Sequence, residues 1–209
     1  MEAKFTVSDV FRTSWKCTKS QIWVLAGLLI GYIILSFTLS MFAIPAQSSK
    51  VALVVVNLVS AILSILFTLG YMKNLFQTLD GIEPQFSAYG QQSRKIVTYF
   101  LASLLMTLIV LIGFCIFILP GIYLALRLQF YQAFIVEEDA GILDSLKRSW
   151  KITEGQTLPL LLLLLAMCGI ILVGVILFMV GVLFAVPVAY MMYCEAFRKL
   201  NTPLQIIEE

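Results

Sequence analysis

Within the apolar run "PGIYLALRLQFYQAFIVEED", residues 120–139, one arginine stands with two glutamines and two tyrosines: Arg127, Gln129, Gln132, Tyr123 and Tyr131. A guanidinium stays charged at any physiological pH and offers five donors in a fixed fork, so it can hold an anion, a carbonyl or an aromatic face. In an apolar surround it costs ~2.5–3.5 kcal/mol on insertion scales. Arg127 is therefore expected to face inward, supported by Tyr123, Tyr131 and Phe134. A second polar series, Asn57, Ser60, Ser64 and Thr68, repeats at spacings of 3, 4 and 4 and shares one helical face. By its distance from the start of its own run, Asn57 is expected at the depth of Arg127. Interhelical packing and a wet solute path both account for this stripe.

Other chemistries are poorly supplied. The chain contains no histidine. The commonest metal ligand and proton shuttle are thus missing. No serine, cysteine or carboxylate has a histidine partner, and no glycine-rich phosphate loop occurs, so no catalysis, no catalytic residue, no cofactor and no metal site are expected. The cysteines at 17, 115, 168 and 194 are isolated and read as small core residues, or as lipidation sites for Cys17 and Cys194. Glu137, Glu138 and Asp139 crowd a helix C-terminus, where the dipole disfavours anions. Cationic neighbours among Arg94, Lys95, Lys147 and Arg148 are expected, with a divalent cation as the alternative.

These residues sit in a chain of 209 residues that is 61% apolar and 12% charged. A soluble domain carries roughly 25% charged residues. Almost uncharged stretches at 21–44, 51–72, 96–119, 120–136 and 157–194 are long enough for six crossings, the fourth a short span of about 25 Å. The polar first twenty residues lack a short apolar core with a small-residue cleavage site. The first apolar run is thus expected to act as its own insertion signal. Twelve of the 14 Lys and Arg fall at Lys4, Arg12, Lys16, Lys19; Lys73, Arg94, Lys95; Lys147, Arg148, Lys151; and Arg198, Lys199. The bias places those segments and both termini on the cytoplasmic side of a bacterial inner (plasma) membrane.

"SWKCTKSQ" at 14–21 returns as "SWKITEGQ" at 149–156, 135 residues later. Each copy ends an amphipathic helix and precedes an apolar run, with Ser8 placed to cap the first. A weaker copy, "FSAYGQQSRK" at 86–95, aligns Ser93 with Ser14. The fold read from this is an all-α integral membrane protein: six transmembrane helices as three parallel repeats of interfacial amphipathic helix plus helical hairpin. The units cover about 5–80, 84–138 and 141–200 and form one domain over 1–209. Their turns are expected near 44–50, at Leu119-Pro120-Gly121 and near 178–181. Gly27 and Gly31 form a patch suited to close helix approach. In the amphipathic helices Arg12, Trp15, Lys16, Lys147, Trp150 and Lys151 are expected to contact lipid headgroups.

The region "GFCIFILPGIYLALRLQFYQAFIVEEDAGILDSLKRSWKITEGQ" resembles an uncharacterised bacterial multi-pass membrane family, similar to the membrane domain of some glycerophosphoryl diester phosphodiesterases. Gly113, Pro120-Gly121, Arg127, Phe130, the acids 137–139 and Ser149-Trp150 carry the resemblance, and "DGIEPQFSAYG" at 80–90 matches its linker. It implies a six-helix membrane bundle. It does not carry over phosphodiesterase activity, because the catalytic domain has no counterpart here. Two functions follow from the residues. One is a lipid-interacting or scaffold protein in a phospholipid membrane, with a protein partner at its cytoplasmic face and no nucleic acid. The other is a small-solute or ion transporter or channel with a pocket around Arg127.

Overall fold

The computed structural model describes residues 5–46, 49–177 and 180–208, and among these it is built of helices without strands. The order is α1 (Val7–Ala46), α2 (Lys50–Leu79), α3 (Ser87–Gln92), α4 (Ile96–Ile116), α5 (Ile118–Leu128), α6 (Tyr131–Glu138), α7 (Ile142–Ile152), α8 (Thr157–Ile176) and α9 (Val180–Glu208). Five stretches are long and apolar enough to cross a membrane: Val7–Pro45, Lys50–Leu79, Ser87–Ile116, Ile118–Glu138 and Thr157–Ile176. The sixth apolar run begins α9, which continues into Glu195, Arg198 and Lys199.

The expected fourth span is not one helix. It breaks at Gln129 and Phe130 into α5 and α6. Half of its most apolar window is buried, against 17% or less in the other four spans. The turn before it is also displaced. Phe117 alone is extended (φ −167°, ψ 160°), and Leu119, Pro120 and Gly121 lie inside the first turn of α5, where proline's missing N–H is no loss. The turn expected near 178–181 lies partly outside the described residues, as does that near 44–50.

The amphipathic segments depart from expectation in two places. α1 starts at Val7, so Ser8 is inside the helix; Thr6 precedes it and its hydroxyl donates to Asp9. The middle copy is a six-residue helix, and Ser93 falls in the exposed 3-10 turn Ser93–Lys95, so its register with Ser14 does not hold. The outer two copies match in backbone. Gln21 (φ −124°, ψ 18°) kinks α1 between its amphipathic and apolar parts, and Gln156 (φ −110°, ψ 19°) stands at the α7–α8 junction. α3 packs on α2, α7 on α4, α5 and α6, and α1 on α9.

Glycine contacts hold two hairpins together. A Cβ on Gly113 would meet Gly121 Cα at 3.0 Å, and one on Gly181 would meet the Gly174 carbonyl at 2.5 Å. Gly27 and Gly31 are different: a Cβ there meets nothing within 4 Å among the described residues. Gly81 and Gly155 take φ of +76° and +72° and turn the chain after α2 and α7. Because the Gly174–Gly181 contact is backbone to backbone, Gly181→Ala is expected to cost about 1–3 kcal/mol by overpacking. Gly169→Ala, open within 4 Å, is expected to stabilise α8 by up to ~1 kcal/mol through helix propensity. Paired unfolding curves in detergent measure the difference.

Candidate functional site

A break inside an apolar helix exposes the last carbonyls of one segment and the first N–H groups of the next. Water does not serve them in an apolar surround, and each unsatisfied group costs several kcal/mol. At 127–130 the second motif copy supplies partners. Ser149, at 0% exposure, donates to the Arg127 carbonyl at 2.9 Å and accepts from the Phe130 N–H at 3.1 Å. The Thr153 hydroxyl lies 3.1 Å from the same carbonyl. From α9, the Tyr193 hydroxyl donates to the Gln129 carbonyl at 2.7 Å. Ser149 and Thr153 are one helical turn apart and so reach one target together.

Trp150 also turns toward the break. The Arg127 guanidinium lies 4.3 Å from the centre of the Trp150 ring and 5.8 Å from that of Tyr123, while the two rings meet edge to face at 5.9 Å. Arg127 is 3% exposed. No carboxylate pairs with it among the described residues, and its Nε has no hydrogen-bond partner. A guanidinium tolerates this better than an ammonium because it is more weakly hydrated and can stack.

The other residues of the expected polar centre are dispersed. Tyr131 is buried, stacks on Tyr99 and accepts from Gln132 rather than supporting Arg127. Phe134 packs on Phe197. Gln129 Nε2 is buried without a partner. Asn57 is exposed, not inward at Arg127. Ser60 and Ser64 are half-buried, and Ser64 shares a 3.0 Å hydrogen bond with Tyr32 of α1. Within the stripe, Ser64 thus joins α2 to α1, while Ser60 and Thr68 donate to carbonyls of their own helix.

The two motif copies now separate. Ser14 and Thr18 are fully buried like Ser149 and Thr153, but their hydroxyls have no partner. Trp15 is 47% exposed and stacks on Phe11, itself 41% exposed. Arg12, Lys16 and Lys19 are exposed around them and form no ion pair among the described residues. Trp150, grouped from the sequence with the headgroup-contacting residues, instead covers Arg127 while keeping 39% exposure. Lys147 and Lys151 are exposed.

At the charged end, the three acids reach separate cations. Glu137 pairs with Lys73 at 3.4 Å and Arg198 at 3.4 Å, Glu138 with Arg148 at 2.8 Å, and Asp139 with Lys95. Of the cations expected, Lys95 and Arg148 take part and Arg94 and Lys147 do not. Lys73 and Arg198 were not foreseen, being distant in sequence. Arg198 also grips Asp80 through both carboxylate oxygens, one at 2.8 Å, and this hydrogen bonding holds the Asp80 carboxyl below its ordinary 3.8.

Two substitutions separate the motif copies. Ser149→Ala strands the Phe130 N–H and is expected to cost about 1–3 kcal/mol. Ser14→Ala removes a hydroxyl that has no partner and is expected to be neutral or mildly stabilising. Thermal unfolding of both in one detergent gives the comparison. For Asp80, the depressed folded value means the contribution is present above about pH 3.8 and lost as pH falls through that folded value. Asp80→Asn is expected to cost no more than about 1 kcal/mol near neutrality, since the pair is partly exposed. The gap to the unaltered chain should close in acid, as read from a pH series of melting temperatures.

Known proteins give sparse likeness. The sequence family described as "Domain of unknown function (DUF7847)" matches residues 86–208, which include the broken helix and the second motif copy. "Uncharacterized protein Rv2560" of Mycobacterium tuberculosis is 30% identical over 108 residues, 52% of this chain and 33% of that protein. The chain therefore spans about a third of that relative's length. No solved structure matches.

Proposed function

Since the chain belongs to the DUF7847 family, whose description assigns no activity, we propose from its residues that it is a non-catalytic, lipid-interacting scaffold of the bacterial inner membrane. In this reading both termini are cytoplasmic. Six spans form three parallel units, each an interfacial helix followed by a hairpin, and each interfacial helix packs on the last span of another unit. The observation that carries the reading is the exposed face of α1, where Phe11 and Trp15 lie among Arg12, Lys16 and Lys19, which form no ion pair among the described residues. Aromatic rings at an interface beside free cations match the anionic headgroup layer. The matching backbone angles at Gln21 and Gln156 support the repeat. Similarity to the membrane domains of glycerophosphoryl diester phosphodiesterases rests on sequence resemblance and remains part of the proposal.

The carrier reading needs access to Arg127. Its guanidinium is instead covered by Trp150 and Tyr123, which favours the scaffold. In detergent, phosphatidylglycerol is expected to raise the melting temperature more than phosphatidylcholine, and Arg12→Gln/Lys16→Gln/Lys19→Gln to erase the difference. Anion or cation flux through reconstituted vesicles, abolished by Arg127→Met, would replace this reading with the carrier. For orientation, Val51→Cys and Gln91→Cys in a cysteine-free chain are expected to react with an impermeant thiol reagent from opposite sides of the membrane. Same-side labelling contradicts the six-span arrangement.

A further inference from the structure

α1 and α2 touch through Tyr32, which shares a hydrogen bond with Ser64 and stacks on Phe67. Between them lies a groove of about 570 Å³, lined by Gly27, Gly31, Tyr32, Leu63, Phe67 and Phe86 among others. It follows α1 from Val24 to Leu35. That is ~16 Å at 1.5 Å per residue, close to half of a ~30 Å hydrocarbon core. Beyond it the lining turns polar, with Ser36, Ser40, Ser60 and Ser64 around a further 280 Å³. At the other end Phe86 is 81% exposed.

No described side chain fills this space. Gly27 and Gly31 face it, and neither would meet a neighbour through an added Cβ. Its apolar walls offer water too few polar partners to hold it there. Charge identifies the occupant further. Lys16 and Lys19 precede Val24 on the same helix by about two turns and one and a half turns, and both are exposed without an ion pair among the described residues. An apolar slot one leaflet long with free cations beyond one end fits an anionic amphiphile with its chain in the slot.

We propose that the α1–α2 groove holds one acyl chain of an anionic phospholipid whose headgroup phosphate is taken by Lys16 and Lys19. The inference rests on the reading of the α1 amphipathic helix as a headgroup contact. The phosphate's negative charge is met by ammonium groups at the interface, and the chain replaces contacts that the missing side chains at Gly27 and Gly31 do not make.

Native mass spectrometry of the delipidated full chain, titrated with 16-carbon phosphatidylglycerol or phosphatidylcholine, tests it. One phosphatidylglycerol per chain is expected to persist. Gly27→Leu/Gly31→Leu is expected to weaken it at least tenfold. Gly169→Leu, which adds one such side chain at another open glycine, should leave it unchanged. Lys16→Gln/Lys19→Gln should weaken phosphatidylglycerol roughly thirtyfold, from about 1 kcal/mol per cation and 1.4 kcal/mol per decade. In the unaltered chain, phosphatidylglycerol with a diazirine midway along its chain should label peptides containing Leu35 or Leu63. Charge-dependent binding that ignores the Gly27 and Gly31 changes, or labelling confined to α8, overturns the groove but leaves the headgroup contact. Equal binding of both lipids, altered by neither pair of substitutions, overturns both.

Discussion

A peptide group without a partner is among the costliest things a helix can leave in an apolar interior. The whole arrangement turns on how the break at Gln129 and Phe130 avoids that. Ser149 serves a carbonyl on one side of the break and an N–H on the other, so a single hydroxyl bridges it. Tyr193 takes a further carbonyl from α9. These bonds fix α7 and α9 against the same point. With α7 so placed, Trp150 lies over Arg127, whose guanidinium is 4.3 Å from the ring centre. With α9 fixed, Arg198 reaches both Asp80 and Glu137, tying α2, α6 and α9 together at the charged end.

Much of the helix content was legible because apolar run length alone specifies it. The buried position of Arg127 followed from the cost of exposing a guanidinium to lipid. The break did not follow, because no glycine or proline marks Gln129 or Phe130. Its one trace was the density of polar residues, Arg127, Gln129 and Gln132, in a run otherwise apolar. The contact of Trp150 with Arg127 was not legible because amphipathic periodicity describes a helix by itself, whereas Ser149 and Thr153 commit its neighbouring face to a partner 20 or more residues away. Asn57 failed for a related reason. Equal distance along two helices gives equal depth but not a shared side.

Glycine spacing is equally incomplete as a signal. Gly113 with Gly121 and Gly174 with Gly181 lie across hairpins whose backbones touch, whereas Gly27 and Gly31 repeat along one helix and meet open space. What decides is the opposing surface. α2 offers Leu63 and Phe67 there, with Phe67 stacked on Tyr32 at 4.1 Å. That ring pair joins the helices beside the groove. Identical small residues thus pack in one place and widen a groove in another.

The order of the chain gives the ion pairs a further meaning. Lys73 is 64 residues ahead of Glu137, and Lys95 also precedes its acid, Asp139. A chain that inserts as it is synthesised from its N-terminus therefore presents both lysines bare while α2 and α4 are being oriented. Their acids emerge only with α6. In the proposed topology, the two lysines that stand bare early are the ones later paired as the bundle closes, while Arg94 beside Lys95 stays outside those pairs.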